Sequence, residues 1–290
     1  YTSVDWTNSS GPKVNGTDTI TRTYAQEMEN YANWFAYYRT RIQAVKTVVS
    51  LSFLGKDPTT SKFNVDDKFR VGVHSLSAVS GVASMFVPVD DFDATQKSTW
   101  ATNLFGLNIR MSQETPNLDA MARIGEYYKN GSSDQLPGDI KDPIVLSCQK
   151  NWHMLFTDGL TFQPALPTVT PGDTDDQTPS LASAPWIAGI LTPSANWPAP
   201  YREDAGSPVS NSAADYATYY WVNDLRTSMT NNVGTSAADK ANWQHVNFAA
   251  ISLGTEGKLA AGDQSGVESQ LAAGALQWPQ PYPSVIKPDA

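Results

Sequence analysis

Helical and extended patterns alternate along this chain, and this alternation constrains its fold more than any other feature. In the helical segments apolar residues recur at three- and four-residue spacing, and in the extended segments they form short runs. In chain order the segments are a helix over 24–54, a strand over 69–76, a helix over 115–128, a strand over 151–157, a helix over 213–229 and a strand over 246–253. That order predicts an α/β fold with a mostly parallel sheet flanked by helices.

The first helical segment is expected to form one helix of about thirty residues. Thr23 is a suitable N-cap residue, and Gly55 and Pro58 end the pattern. We expect its apolar stripe to belong to the core. The stripe consists of Tyr31, Trp34, Phe35, Tyr38, Ile42, Val45, Val48 and Val49.

Three further patterns lie between the strand over 69–76 and the strand over 151–157. A run over 82–89 contains Pro88, which predicts an edge strand or a loop. Residues 94–104 fit a short helix. Thr115 is expected to cap the helix that follows it, with Pro116 in the first turn, where a proline fits.

The remaining segments lack periodicity and are rich in small and polar residues. Residues 1–22 and 261–290 are expected to be irregular, and 160–210 to form a long Pro- and Gly-rich insertion. The domain itself is therefore predicted over 23–260.

Charge and cysteine content bound the function. The formal net charge of −9 argues against nucleic acid as a partner, because phosphate binding needs clustered Lys and Arg. No apolar run approaches the ~18 residues of a membrane span. Cys148 is the only cysteine, so no disulfide can form within the chain. We expect Cys148 to be a buried, small apolar residue; the alternative is half of a disulfide whose partner lies outside this chain.

The motifs of several common enzyme classes are missing from the sequence. There is no Gly-x-Ser-x-Gly motif, no zinc-ligand spacing, and no phosphate loop or dinucleotide fingerprint. His74, His153 and His245 fall in or beside predicted strands, and we interpret them as structural residues.

Two acidic clusters leave other chemistries open. Asp90, Asp91 and Asp93 could supply the paired carboxylates of glycoside hydrolysis, although a solvated loop is the simpler interpretation. The PGDTDDQ segment at 171–177 loosely resembles a calcium loop, but it lacks the glycine and the distal glutamate of that loop.

Six longer motifs are more specific than these patterns. They are TYAQEMENYANWFAYYRTRIQAVKT (23–47), DDKFRVGV (66–73), PVDDFD (88–93), TPNLDAMARIGEYY (115–128), CQKNWHMLFTDG (148–159) and ADYATYYWVNDLRTSMTNNVGTSAADKANWQHVNFAAISLGTEG (214–257). In this order they resemble the amino-terminal region of the PilC/PilY family, bacterial type IV pilus biogenesis factors and pilus-tip adhesins. That region contains a von Willebrand factor A-like domain, which is a Rossmann-type fold.

The resemblance implies a function outside the cell. Such proteins act at the pilus tip, the cell surface or the outer membrane, with minor pilins and a host or abiotic surface as partners. They serve surface attachment and twitching motility and are not known as enzymes. A carboxy-terminal β-propeller normally follows, so 261–290 is expected to lead toward a domain that this chain lacks. In relatives the partner of Cys148 falls upstream or just before the first helix.

The resemblance also implies a divalent cation site. In von Willebrand A domains an Asp-x-Ser-x-Ser segment, a Thr ahead of a helix and an Asp after the fourth strand bind the ion, and these oxygen ligands suit Mg²⁺ or Ca²⁺. Thr115 has the context of the Thr, and Asp158 that of the final Asp. The Asp-x-Ser-x-Ser segment is expected upstream of this chain, with Asp-x-Thr-x-Ser at 5–9 as a conceivable substitute. We therefore expect an incomplete site that is empty in this fragment.

The sequence thus predicts a non-enzymatic adhesion and regulatory module of a type IV pilus-tip protein. It predicts that Thr115 and Asp158 lie close together at the carboxyl edge of the sheet. The alternatives are a secreted carbohydrate-active hydrolase with paired carboxylates and a ligand-free structural surface protein.

Overall fold

The computed structural model describes residues 13–14, 18–19, 23–76, 85–107, 115–129, 141–157, 166–174, 209–236, 239, 241–252, 266–267, 269–270, 273 and 275–276. The chain divides into two compact units, Tyr1–Asp66 and Asp67–Ala290. The domain predicted over 23–260 remains a prediction.

The first unit contains a short strand pair and two helices. Strands β1 (Lys13–Val14) and β2 (Asp18–Thr19) pair antiparallel. Helices α1 (Tyr24–Tyr37) and α2 (Arg41–Leu54) follow. Thr23 caps α1, as the sequence predicts: its hydroxyl group accepts from the Gln26 amide, and the Gln26 side chain accepts from the Thr23 amide.

The single helix predicted over 24–54 is wrong, because the chain breaks at residues 38–40. Thr40 begins α2 with a second capping box, in which Gln43 is the partner. The side chains of Gln43 and Thr47 donate to the carbonyl groups of Ala36 and Tyr37 at the end of α1. The break therefore occurs without Gly or Pro, since side chains satisfy the backbone groups that the helix would have used.

The prediction that the aromatic stripe belongs to the core is also wrong for α1. This helix has no buried residue, and Tyr31, Trp34, Phe35 and Tyr38 are 42–55% exposed. Periodicity shows which side chains share a face of a helix, but it does not show what covers that face.

The second unit is a mixed α/β structure. Its elements are β3 (Arg70–His74), β4 (Phe86–Asp91), α3 (Ala94–Gly106), α4 (Asn117–Tyr128), β5 (Asn151–Thr157), α5 (Ala213–Val222) and β6 (Val246–Ser252). β3 and β4 pair antiparallel, whereas β5 and β6 pair parallel. Among the described residues the strands form separate pairs rather than one mostly parallel sheet.

Pro88 lies inside β4, at an irregularity in its pairing with β3. The register shifts between Val71 and Val73, so Gly72 faces the distorted part of β4. A Cβ atom on Gly72 would lie 2.7 Å from the Val87 carbonyl oxygen. Glycine therefore allows the two backbones to approach, and the bulge accommodates a proline that regular pairing would exclude.

The core of the second unit lies between α4, α5 and one face of the β5–β6 pair. Leu155 and Val246 contribute from the strands, and Met121 and Tyr216 are almost fully buried on the helices. The connection from β5 through α5 to β6 makes a parallel βαβ unit, as the order of patterns predicts.

Two predicted helix boundaries are wrong. Helix α5 ends at Val222 rather than near Met229, and residues 223–229 turn back so that the Leu225 amide donates to the Gln244 carbonyl. Thr115 does not cap α4. The N-cap position is occupied by Pro116, which has no side chain able to cap the helix.

The base of the predicted insertion is closed by paired hydrogen bonds. Gly172 and Asn211 bond to each other in both directions, at 2.7 and 2.8 Å. The Asp215 carboxylate accepts from the Thr174 amide, and the Tyr216 hydroxyl group donates to the Val169 carbonyl. Residues 169–174 therefore lie close to residues 211–216.

Candidate functional site

The sequence predicts a ligand site at the carboxyl ends of β5 and β6. The strands are parallel and in register there, with Thr157 paired to Ser252. Thr115 is half-buried and lies two residues ahead of α4. Asp158 follows Thr157 directly but lies outside the described residues. The close approach of Thr115 and Asp158 therefore stays a prediction.

The described residues do not form a cation site by themselves. Within the ranges that the structure describes, no three His, Cys, Asp or Glu side chains are grouped where they could hold a metal ion. Thr115, Thr157 and Ser252 carry hydroxyl groups, but a hard cation also needs a charged oxygen ligand. Asp158 is the carboxylate that the sequence predicts at this edge, and its part in a cation site stays a prediction.

A network of buried polar side chains lies at the opposite edge, where β5 and β6 begin. The Asn151 amide group donates to the His245 carbonyl at 3.1 Å. Gln149 donates to the Asn151 side chain, and Gln244 donates to the Ser147 carbonyl. The CQKN and WQH segments thus connect the amino ends of two strands that are ninety residues apart in sequence, about the length of a small domain.

His245 is fully buried within this network. Its Nδ1 atom lies 2.7 Å from the Trp243 carbonyl and must donate to it. Its Nε2 atom lies 3.2 Å from both the Asn247 amide group and the Asp239 carboxylate. The ring can therefore accept from Asn247 when neutral or donate to Asp239 when protonated. Its contacts are structural, as the sequence predicts for this residue.

Two arginines hold the loop that leads into β5. Arg226 is buried and makes two hydrogen bonds with the Asp142 carboxylate, and its Nε atom donates to the Tyr128 carbonyl at 2.8 Å. Arg70 donates to the Pro143 carbonyl at 2.8 Å. The hydrogen bonds from Arg226 keep the pKa of Asp142 below its ordinary value, although partial burial alone would raise it.

His74 of β3 and His153 of β5 face each other, with ring centroids 6.0 Å apart. Burial lowers the pKa of His74 to about 4, helped by the positive charge of Arg123. Burial also lowers the pKa of His153 to about 3, with a smaller contribution from His74. Both rings are therefore neutral at pH 7 and contribute packing rather than charge.

The acidic cluster at the end of β4 is held by ion pairs and a helix cap. Asp90 pairs with Lys141, Asp91 lies 3.3 Å from the Arg70 guanidinium, and Asp93 caps α3. The hydrogen bond from Lys141 lowers the pKa of Asp90. A general acid for glycoside hydrolysis needs a raised pKa instead. A polar groove of about 500 Å³ adjoins the cluster; it is lined by Phe86, Val87, Pro88, Asp90, Asp93, Thr95, Gln96, Thr99, Asn103 and Lys141.

The expectation that Cys148 is buried is wrong. Its thiol group is exposed, on a loop where Val145 and Leu146 are exposed as well. Gln149 and Gln244 donate to backbone carbonyl groups of this loop, and Ile144 is fully buried in the core, whereas Val145 and Leu146 are exposed. The apolar character of Val145, Leu146 and Cys148 therefore does not predict their burial.

Sequence reasoning recognised the CQKN and WQH segments as distinctive but missed their role. Gln149, Asn151, Gln244 and His245 are amide and imidazole side chains placed just ahead of two strands. Such residues can satisfy the backbone of a neighbouring segment when they are buried. Polar side chains of this kind occur at the starts of both β5 and β6, and this repetition could have predicted that they bond to each other.

No helix in the described part of the chain is long and apolar enough to cross a membrane. No protein-family model matches the chain, and no solved structure matches it.

Curated relatives are type IV pilus biogenesis factors of one bacterial species. The chain is 28% identical to "Type IV pilus biogenesis factor PilY1" of Pseudomonas aeruginosa strain PAK over 288 residues, which is 88% of this chain and 22% of the relative. The PAO1 protein of the same name is 27% identical over 95% of this chain and 24% of its own length. The UCBPP-PA14 protein is 26% identical over 86% of this chain and 21% of its own length.

The chain thus spans less than a quarter of the length of each of these relatives. The motifs quoted from the sequence span residues 23–257. The family identification made from them is confirmed: this chain is a distant relative of the PilY1 type IV pilus biogenesis factors.

Proposed function

We propose that this chain is a non-enzymatic module of a type IV pilus biogenesis protein. The observation that carries the proposal is the similarity to PilY1, which extends over 86–95% of the chain. In this proposal the module acts at the cell surface or the pilus tip, with minor pilins as partners, and it serves surface attachment and twitching motility.

A von Willebrand A-like architecture is part of the same proposal. The parallel β5–α5–β6 unit and the packing of α4 against it support this architecture. So does the position of Thr115 directly ahead of α4. In such folds ligands bind outside the carboxyl ends of the strands, which here is the edge formed by Thr157 and Ser252.

The test in the cell is a segment exchange. The matching segment of PilY1 in P. aeruginosa strain PAO1 is replaced by this chain, and sheared surface pili and twitching zones are measured. We expect the exchange strain to keep pili that a strain lacking the segment loses. A folded and secreted chimaera without pili would contradict the proposal, and an unrelated domain of similar size is the matched control.

We further propose that Thr115 and Asp158 contribute to a Mg²⁺ or Ca²⁺ site. Binding to the folded state raises stability by mass action, by about 2.7 kcal/mol at a ligand concentration one hundred times the Kd. In a protein that carries the upstream Asp-x-Ser-x-Ser segment, we expect Mg²⁺ to raise Tm, and Asp158→Ala and Thr115→Val to abolish the rise.

Asp175→Ala is the matched control, because it removes a carboxylate from the acidic PGDTDDQ segment instead. It should leave the rise in Tm unchanged. Absence of any shift with Mg²⁺, Mn²⁺ and Ca²⁺ would remove the cation from the proposal without affecting the role in pilus biogenesis.

A further inference from the structure

Helix α1 of the first unit carries an exposed apolar face. Tyr24, Met28, Tyr31, Phe35 and Tyr38 recur at alternating spacings of four and three residues, and we call these five residues the α1 seam. Their exposed fractions range from 42% to 73%. The capped helix therefore carries large apolar side chains in water along its whole length.

This spacing indicates what kind of surface would cover the seam. Side chains at alternating four- and three-residue spacing pack as knobs into the holes of a second helix. A helix of 14 residues is also marginal on its own in water, because helix nucleation is costly and packing supplies most of its stability. A partner helix would both cover the seam and stabilise α1.

The seam is large enough to hold two copies of the chain together. Large side chains of this kind expose roughly 200 Å² each when fully free, so the five seam residues and Trp34 beside them, each about half exposed, present about 600 Å². Two such faces bury about 1,200 Å² in total, which is the lower limit of specific protein interfaces. Tyr, Trp, Phe and Met are also the residues enriched at such interfaces.

Charge favours an antiparallel arrangement of the two helices. Glu27 and Glu29 lie near the amino end of α1, whereas Arg39 and Arg41 follow its carboxyl end. In a parallel pair like charges would meet at each end, and the two helix dipoles would oppose association. In an antiparallel pair the acidic end of one helix meets the basic end of the other.

We propose that two copies of this chain associate through their α1 seams, antiparallel, with Tyr31 at the centre of the contact. Tyr31 is the middle residue of the five, so a two-fold axis through the seam places the two Tyr31 side chains against each other. This association goes beyond the pilus-related function, since neither the relatives nor the candidate cation site requires it.

The test is sedimentation equilibrium of the complete 290-residue chain and of two matched variants. Tyr31 and Tyr37 are both 55% exposed, but Tyr37 lies about 120° around the helix from Tyr31 and outside the seam, at 3.6 residues per turn. We expect the parent chain to dimerise, Tyr31→Glu to weaken the dimer at least tenfold, and Tyr37→Glu to leave it unchanged. Far-ultraviolet circular dichroism verifies that all three chains are folded.

Three outcomes would overturn the proposal. The first is a parent chain that stays monomeric at roughly 100 µM, a concentration far above the Kd that an interface of this size should give. The second is a dimer that Tyr31→Glu does not weaken. The third is equal weakening of the dimer by both glutamate variants. Glu29→Gln tests the orientation, because Arg39 already lies over the Phe35 ring of the seam and its loss would uncover that ring. It should weaken an antiparallel dimer, whereas a stronger dimer would indicate parallel helices and overturn the arrangement.

Discussion

At the scale of single residues, close packing between α4 and α5 depends on a glycine. Gly125 faces the ring of Tyr220, and a methyl group there would overlap three ring carbons. The ring has little freedom to move, because its hydroxyl group lies 3.1 Å from both the Ala122 carbonyl and the Glu126 carboxylate. The two helices can therefore approach only where one of them lacks a side chain.

Gly125→Ala is expected to destabilise the fold by about 1–3 kcal/mol, the usual cost of overpacking a well-filled core. Gly106→Ala is the matched control, because no atom lies within 4 Å of a Cβ atom at that helical glycine. It should change stability by less than about 1 kcal/mol, toward greater stability, since alanine favours helices. Urea unfolding of both variants measures the difference, and equal effects would contradict this view of Gly125.

His74 and His153 make the folded state less stable as pH falls, because folding lowers their pKa values. In the unfolded chain a histidine has a pKa of about 6.5. Folding lowers the two values to about 4 and about 3, so protons bind the unfolded state more tightly. The stabilising contribution of the neutral rings is complete above the unfolded pKa and is lost as pH falls below it.

We therefore expect Tm to fall between pH 7 and pH 5, before most carboxylates titrate. The drop should be smaller in His153→Gln, because that variant has one fewer group to protonate on unfolding. The positive charge of Arg123, which pairs with Asp119, also lowers the pKa of His74. Differential scanning calorimetry at both pH values is the measurement, and an equal drop in the parent chain and the variant would contradict the prediction.

At the scale of elements, the loop over 141–149 is ordered by hydrogen bonds to charged and polar side chains, together with the buried side chain of Ile144. Arg226 and Arg70 both donate to it, and Gln244 donates to its Ser147 carbonyl. The loop can therefore expose Val145 and Leu146 without losing its shape. Loops whose carbonyl groups are satisfied by buried side chains have few alternative conformations.

Asp142→Asn is expected to destabilise the fold by roughly 2–4 kcal/mol, because it leaves the buried Arg226 without a charged partner. Asp91→Asn is the matched control. Asp91 also pairs with an arginine, but its side chain is 75% exposed, so its loss should cost less than about 1 kcal/mol. Chemical denaturation at pH 7 compares the two, and the reverse order would contradict the assigned role of Asp142.

Periodicity in the sequence located most helices and strands but did not predict every boundary between them. The strands of the second unit and helix α3 occur where the sequence predicts them, since strand runs and an Asp93 cap are local signals. The break between α1 and α2 was missed. The apolar stripe continues through residues 38–40, and only the capping pairs of Thr40 with Gln43 distinguish one helix from two.

At the scale of the whole molecule, the hydrophobic core belongs to one unit. Every residue of the main cluster falls within the second unit, and α1 in the first unit buries none. A compact unit with its own core is the usual definition of a domain. The second unit is therefore expected to fold without the first.

A chain beginning at Asp67 should unfold cooperatively, with a Tm within about 4 °C of the complete chain, which corresponds to roughly 1 kcal/mol for a protein of this size. A chain ending at Asp66 should lack a cooperative transition, because its helices have little to pack against. Calorimetry of both fragments tests this. A second unit that unfolds without cooperativity would contradict the division.

The sequence by itself predicted most elements, an α/β class and the resemblance to the PilC/PilY family, because these depend on local periodicity and on ordered motifs. It also pointed to Thr115 and Asp158 through their positions beside a helix and a strand. Only the tertiary structure decided that Asn151 meets His245, that Asp142 pairs with Arg226, and that the α1 stripe lies in solvent. Each of these depends on which distant segments come together, and burial is a property of the neighbours rather than of the residue.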